Sequence, residues 1–430
     1  MRRERSRATA RLGRLVAALA LAATPVQGQR PAPTLVVSPH GPLTSIAAAV
    51  RQAPAGARIV VRAGTYREAA PVEVDRPLTL EGDGSFPTLD GGDRHELLHV
   101  TAPDVTVRGL RFTRTGRAMT EDRAAIRLTG ATGCTVAGNR FDDTFFGVYL
   151  ARVAGCAVRD NVFAGRPAGT ESTSGNAVHL WSSRDVSVTD NRITGHRDGI
   201  YFEFVRQGRV ERNLSTRNLR YGLHFMYSDS CAYRDNAFRE NGAGVAVMYT
   251  NVVTMRGNRF VDNMGGASYG LLLKEIGHAT LERNEFARNT VGLMADGASH
   301  LVVRGNVFRD NGWGLRLMSN VEDGEIAGND FAANTFDVST NGRQDGATFR
   351  GNWFAEYRGW DLDRDGRGDV PYHPVRLFSL LVARHEPMLV LQRSVFVVLL
   401  DAAERVLPSL TPETLRDDAP AMRPNRAAAR

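Results

Sequence analysis

An all-β chain wound as a parallel β-helix of about 22–23 residues per coil is the fold this sequence predicts, and three observations lead there. The first is a repeat. Asn recurs at 139, 161, 191, 213, 236, 258, 284, 306, 329 and 352, and eight of the nine intervals fall between 22 and 26 residues, the exception holding an insertion. Self-similarity at this period marks a solenoid, in which no single repeat buries its own apolar face. The second observation is alternation within each repeat. A mostly apolar residue stands three before each Asn (Val136, Val158, Val188) and another two after it (Phe141, Phe163, Ile193, Phe238), with Ser215 the one lapse. A period of two belongs to strands, and no repeat holds a stretch long enough for an ordinary helix. The third is a second short strand opening on Gly, eight or nine residues after most of the Asn positions, as in Gly199-Ile200-Tyr201-Phe202 and Gly222-Leu223-His224-Phe225. Short strands divided by Gly and Asn corners, with like residues stacked above like, make such a coil. The Asn amides are then expected to bond one another at the ~4.8 Å strand spacing, keeping the sharp corners paired. The Asn and Phe columns are scaffold.

Residues 1–28 have the form of an export signal. Six Arg precede an apolar run over residues 15–23 that is too short to span a bilayer, and Gly28 offers a small residue for cleavage. Its removal takes six Arg and one Glu and lowers the formal charge from +7 to +2. With no basic block interleaved with aromatics left, a nucleic-acid surface is not expected. Residues 38–92 read as the N-terminal cap and first coils: an Ala-rich helix over 43–52 plugs the open end, followed by strands at 59–61 and 78–80. The repeats proper fill 93–354. Cys134 and Cys156 hold the same slot on consecutive coils and Cys231 lies three coils on. They read as buried thiols acting as small apolar residues, with a Cys134–Cys156 disulfide the alternative in an oxidising compartment.

Chemistry must come from what faces outward. On the Gly-led strands the residues at Gly+1 and Gly+3 point in, so those at Gly+2 and Gly+4 point to solvent. These two columns place His179, Glu203, His224, Met226, Met248, Met294 and Met318 on the exterior. Insertions at 164–175 and 261–267 fall just before this strand, where loops raised at one edge build a groove. Thioether and imidazole on a rigid surface suit a soft ion, Cu(I) above all, and Met226 and Met248 would stand ~4.8 Å apart. The bland alternatives are a sticky patch for a protein partner or gap-filling beneath the insertions.

Past the last Asn the pattern changes. Residues 355–374 hold Asp361, Asp363, Asp365 and Asp369 around Gly366, the first half of a calcium loop, although Tyr372 stands where an EF-hand has its bidentate Glu. A calcium site and a tight closing turn both fit. Residues 375–414 form an apolar segment in which a helix over 388–400 is expected to pack on a partner or lie at an interface, exposing Leu377, Phe378, Met388, Leu391, Val395, Phe396 and Leu399. Residues 415–430 are expected to be disordered. A chain cut after Tyr372 should therefore stay folded and lose its partner.

Two resemblances rest on named stretches. Residues 45–50 and 56–68, from Ser45-Ile46-Ala47 to Tyr66-Arg67-Glu68, resemble the N-terminal signature of pectin-lyase-like β-helices, which implies a right-handed coil and leaves function open. The run from Asp361 to Tyr372, then Pro374-Val375-Arg376-Leu377-Phe378 and Leu399-Leu400-Asp401-Ala402-Ala403-Glu404, resembles the C-terminal signature of the NosD family, and the likeness covers nearly the whole chain. It implies a periplasmic copper-binding accessory protein, not an enzyme, that works with an inner-membrane ABC transporter (permease and ATPase subunits) to assemble the copper–sulfur centre of nitrous-oxide reductase. A copper-donating lipoprotein is a further implied partner. The rival class is an exported polysaccharide lyase or epimerase, with Lys274, Arg316, Glu203 and His224 cast as base and carboxylate neutralisers. None of the short catalytic motifs of such enzymes is present.

Overall fold

The Asn column does what its spacing requires. In the computed structural model, which describes residues 32–118, 121–166, 170–265, 268–342, 346–407, 410–411 and 415–425, the backbone N–H and side-chain Nδ2 of one Asn both donate to Oδ1 of the next. The distances are 2.9 and 3.1 Å for Asn139 on Asn161, and 3.0 and 3.0 Å for Asn329 on Asn352. Each Nδ2 also reaches a core carbonyl of the preceding coil, as Asn161 does to Val136 at 2.9 Å. One side chain thus pairs groups that a sharp corner would leave bare in a dry interior. The expected export signal lies outside the described residues.

The fold is an all-β right-handed parallel β-helix, and each coil has three faces. The first is built of strands such as Thr135–Ala137 on Ala157–Arg159, and the second of Arg140–Asp142 on Val162–Ala164. The third carries the Gly-led strands, Phe146–Ala151 on Val178–Trp181. The second face alone is a 13-stranded sheet among the described residues. The first and third are continuous, because strands such as Ala243–Arg256 run around the corner between them. Inside, the Phe column stacks ring on ring, with centroids 4.5 Å apart for Phe141–Phe163 and 5.0 Å for Phe331–Phe354. Where it lapses, the Ser215 hydroxyl donates to the Gly222 carbonyl at 2.8 Å.

A second Asn column went unread in the sequence. Asn218, Asn241, Asn263, Asn289, Asn311 and Asn334 stand five residues after the first and repeat its bonding, with Asn218 Nδ2 on Asn241 Oδ1 at 2.9 Å. It explains the Gly that follows. A Cβ on Gly222 would meet the Gly244 carbonyl at 2.7 Å and Asn241 Nδ2 at 2.9 Å, so any side chain would wedge the rungs apart.

Coil pairing starts earlier than expected, at Thr34–Val37 on Ala57–Val61. Helix α1 is shorter, Ile46–Gln52, and plugs the end by burying Ile46, Ala49 and Val50. Ser45 caps it by accepting from the Ala48 N–H at 3.1 Å, and the Glu68 carboxylate accepts from the Ile46 N–H at 2.7 Å. A carboxylate there suits the positive end of the helix. All three cysteines are free, buried thiols.

The C-terminal expectations need correction. Residues 415–425 are ordered: the strand-like segment at Asp417 lies against Tyr372, and the buried Asp417 carboxylate takes the place of an eleventh Asn. It accepts from Asn352 N at 2.8 Å and Asn352 Nδ2 at 2.9 Å. Tyr372 rests on Phe354 at 4.6 Å and closes the Phe column. A cut after Tyr372 would strip the ladder of its last acceptor, so the chain end is a lid on the solenoid. Between the two, helix α2 (Leu377–Arg384) buries Phe378 on Phe336 with centroids 6.0 Å apart. The single helix expected over 388–400 is instead a 3-10 turn, Glu386–Leu391, and a separate helix α3, Val395–Val406, capped by Ser394. No helix among the described residues is long and apolar enough to cross a membrane.

Candidate functional site

Three outward columns line the third face, one more than the sequence reading allowed, because the strands begin one residue before Gly. The added column holds Asn176, Asp198 and Tyr221. The middle column runs Arg127, Tyr149, His179, Tyr201, His224, Ala246, Leu272, Met294, Arg316, and the outer one Trp181, Glu203, Met226, Met248, Lys274, Asp296, in rung-to-rung register. The expected inward and outward assignment holds, with Leu223 and Phe225 fully buried and Met226, Met248, Met294 and Met318 half-buried on the exterior. The expectation that the middle column is open to solvent does not hold: His179 is 8 % and His224 7 % exposed.

Upstream, the middle column packs ring on ring and pairs its imidazole, leaving Asn176 Oδ1 unpaired. The Arg127 guanidinium lies 4.4 Å over the Tyr149 ring. His179 is sandwiched between Tyr149 at 4.4 Å and Tyr201 at 4.7 Å. Its Nδ1 accepts from Asn176 Nδ2 at 3.0 Å. Burial, helped by Arg197 and Arg127, pushes its pKa down to about 3, so the ring is neutral.

Downstream, satisfaction stops at His224. Tyr201 meets its ring edge-on at 5.1 Å and Tyr221 at 4.7 Å. Both ring nitrogens are buried without a hydrogen-bond partner. Nδ1 stands 4.0 Å from a carboxylate oxygen of Asp198, itself fully buried and committed to Arg220 at 2.9 and 2.5 Å. Burial pushes His224 down to about 4, against the pull of Asp198 and with help from Arg220 and Arg197. The Asp198 oxygen stands behind Nδ1 but beyond hydrogen-bond reach, so the ring lacks the second-partner bond that orients many metal-binding histidines. Buried polar atoms without partners in a folded chain call for an explanation.

Beside it on the same strand is Met226, whose Sδ accepts from the Tyr201 hydroxyl at 3.9 Å; burial and Glu203 hold that phenol up to about 12. Met248 follows one rung on and Glu203 one rung before. Four of the predicted metal residues, Glu203, His224, Met226 and Met248, therefore share one patch. The other three do not join it: His179 is two rungs off with Nδ1 engaged, while Met294 lies three rungs past His224, ~14 Å, and Met318 four past Met226, ~19 Å. On the adjoining corner Phe204, Tyr227 and Tyr249 stack at 5.3 and 5.1 Å and wall the patch with exposed rings. Asp198, Tyr221 and this aromatic wall escaped sequence reasoning, although each column was visible at the repeat period.

At the chain end the predicted groups divide. Carboxylate oxygens of Asp361, Asp363 and Asp365 lie within 4.8 Å of one another, while Asp369 instead accepts from the Leu362 N–H at 2.6 Å. Of the predicted docking residues, Phe378 is core, and Leu377 and Met388 are partly covered. Leu391, Val395, Phe396 and Leu399 are exposed, together with Val390, Val398, Val406 and Leu407, which the sequence reading left out.

The chain is similar to known proteins over most of its length. Residues 166–359 match the family model described as periplasmic copper-binding protein (NosD). A Pseudomonas aeruginosa protein described as "Probable ABC transporter binding protein NosD" is 33 % identical over 94 % of this chain and 97 % of its own length. A Stutzerimonas stutzeri protein of the same description is 26 % identical over 81 % and 84 %. Among solved structures, the catalytic unit of a GH87 alpha-1,3-glucanase from Streptomyces thermodiastaticus matches with a TM-score of 0.56 at 16 % identity, over 78 % of this chain and 70 % of that one. The periplasmic alginate epimerase AlgG matches with a TM-score of 0.51 at 14 % identity, over 74 % and 83 %. At such identities the last two speak for the coil alone. A parallel β-helix with a thioether and imidazole patch on its third face, alike along nearly its whole length to these relatives, belongs to the NosD family of periplasmic copper-binding proteins.

Proposed function

We propose that this chain is a copper carrier for the maturation of nitrous-oxide reductase, holding Cu(I) at His224, Met226 and Met248 with Glu203 at the rim. The observation that carries the reading is His224: a neutral, buried ring with no partner on either nitrogen, beside two thioethers in rung-to-rung register. A soft monovalent ion takes thioether and neutral imidazole, and neither donor must lose a proton to bind it. Cu(I) titration of the full mature chain against a chromophoric chelator tests the site. The substitutions His224→Ala, Met226→Ala and Met248→Ala together should abolish tight binding, and equal affinity in parent and triple variant would defeat the assignment. The rival uronate lyase or epimerase is ruled in by one result, an unsaturated or epimerised product from a uronan polymer.

The ABC-transporter partner named for the relatives fits the chain end. Val395, Val398, Leu399 and Val406 on α3 and Val390 beside it present an apolar surface that a water-facing helix does not need. In this reading the surface seats on the permease, tying the chain to the inner membrane, while α2 and its Phe378 anchor the segment to the last coil. The reductase and a copper-donating lipoprotein would then meet the third face. Val395→Asp with Leu399→Asp should end co-purification with the transporter at unchanged melting temperature; co-purification that survives would refute the docking role.

A further inference from the structure

The same corner that carries the aromatic wall, between the third and first faces, holds a second left-handed column three residues further along. Residues 155, 185, 207, 230, 252, 278, 300 and 323 succeed one another on it, rung by rung. All are left-handed, with φ of 55° at His278, 52° at His300 and 50° at Asp323. Gly, Asn, Asp and His take that backbone at least cost, and upstream the column holds Gly155 and Asp185 but also Gln207, Ser230 and Val252. The corner therefore tolerates His278, His300 and Asp323, and what they add to it is three donor groups on successive rungs.

We infer that His278, His300 and Asp323, on three successive rungs of this exposed corner, close by side-chain rotation on one divalent transition-metal ion, a second metal site separate from the thioether patch. The imidazoles stack with centroids 4.5 Å apart and planes 13° from parallel, so both rings leave the corner on the same side. His300 Nε2 stands 3.6 Å from Asp323 Oδ2, close to the ~3.4 Å that separates two ligands of one tetrahedral zinc at ~2.1 Å bond lengths. The His278 tautomer follows from its neighbour. Asn251 Oδ1 already accepts from the Val252 N–H at 3.1 Å, which identifies it as oxygen, and His278 Nδ1 lies 3.1 Å from the same atom. Nδ1 is therefore the donor, and Nε2 carries the free lone pair. A histidine held through Nδ1–H by an amide carbonyl is oriented as metal-binding histidines are. Asn251 is in turn fixed by its own N–H on Asp229 at 2.9 Å. Two imidazoles and a carboxylate suit Zn(II) or Cu(II), whereas two thioethers and an imidazole suit Cu(I). The two sites would thus sort ions by softness on one rigid wall.

The probe is Zn(II), titrated against a competing chromophoric chelator into the full mature chain, with excess calcium added to compete for the carboxylates of Asp361, Asp363 and Asp365. One equivalent should bind, roughly ten-fold or more weakly after His278→Asn or His300→Asn, and as tightly as in the parent after Met226→Ala with Met248→Ala. Asn is the replacement because it accepts the left-handed backbone, and an unchanged melting temperature shows that the coil survives. Zn(II) affinity unchanged in the His278→Asn, His300→Asn double variant, or no bound equivalent in the parent, overturns the site.

Discussion

The upstream and downstream halves of the third face are built from one column at one spacing, yet they end in opposite states. Around His179 each rung serves the next: a guanidinium on a ring, a ring on an imidazole, an amide on its nitrogen. Around His224 the rings are just as close, but both nitrogens are orphaned, and the neighbours on its outer side are the thioethers of Met226 and Met248. A stacked solenoid repeats whatever satisfies it. Single buried atoms are left unpaired upstream as well, Asn176 Oδ1 and His196 Nε2 among them, but among the described residues His224 is the imidazole with both nitrogens bare, and that doubling marks its rung.

The sharpest way to break that contrast is to give both positions the same ring. His224→Phe keeps the aromatic packing and removes two orphaned nitrogens, so it should raise stability by about 1 kcal/mol while Cu(I) affinity falls by roughly a hundred-fold, since loss of even an outer partner costs about 10–100-fold. His179→Phe should do the reverse, costing about 1 kcal/mol through the stranded Asn176 amide and leaving copper binding intact. Thermal melts and chelator competition on the two variants read both quantities. Matching signs in the pair would show that the halves are equivalent and that the orphaned imidazole has no assigned task.

Most of the scaffold was legible because a solenoid writes each contact many times. The Asn and Phe columns and the inward and outward assignment on the third face needed only period and alternation. What failed was read from single occurrences. Asp417 replaces an Asn in space from 65 residues away in sequence, with two helices between, so no period points to it. The docking residues were chosen by apolarity alone, and Phe378 shows the limit: the same side chain serves a partner or Phe336 depending on which way α2 faces. A column says nothing of how many rungs separate its members, so column position alone groups Met294 and Met318 with ligands that they cannot reach. Asp198 and Tyr221 were lost by starting the strand at Gly rather than one residue before it.

Acid supplies a gentler test, because three histidines respond to it and only one belongs to the copper patch. Burial holds His179 down to about 3 and His196 and His224 down to about 4, against an ordinary value near 6.5. Above pH 6.5 both native and unfolded chains leave these rings neutral and they contribute no pH dependence. As pH falls from there the unfolded chain takes up protons that the native one refuses. Stability should therefore drop by about 1.4 kcal/mol per pH unit for each ring, levelling off near the folded values. His196 separates the scaffold share from the copper share. It occupies the second Asn column, where its N–H donates to Asn218 Oδ1 at 3.2 Å, so His196→Asn extends the ladder by a rung. That variant should lose about one proton from the slope of stability against pH between 6.5 and 4, with copper binding unmoved. Copper affinity itself should stay nearly flat from pH 7 to 5, whereas an imidazole of ordinary pKa would lose roughly thirty-fold to protons over that span. A thirty-fold loss would mean that the ligand is an exposed histidine and not His224.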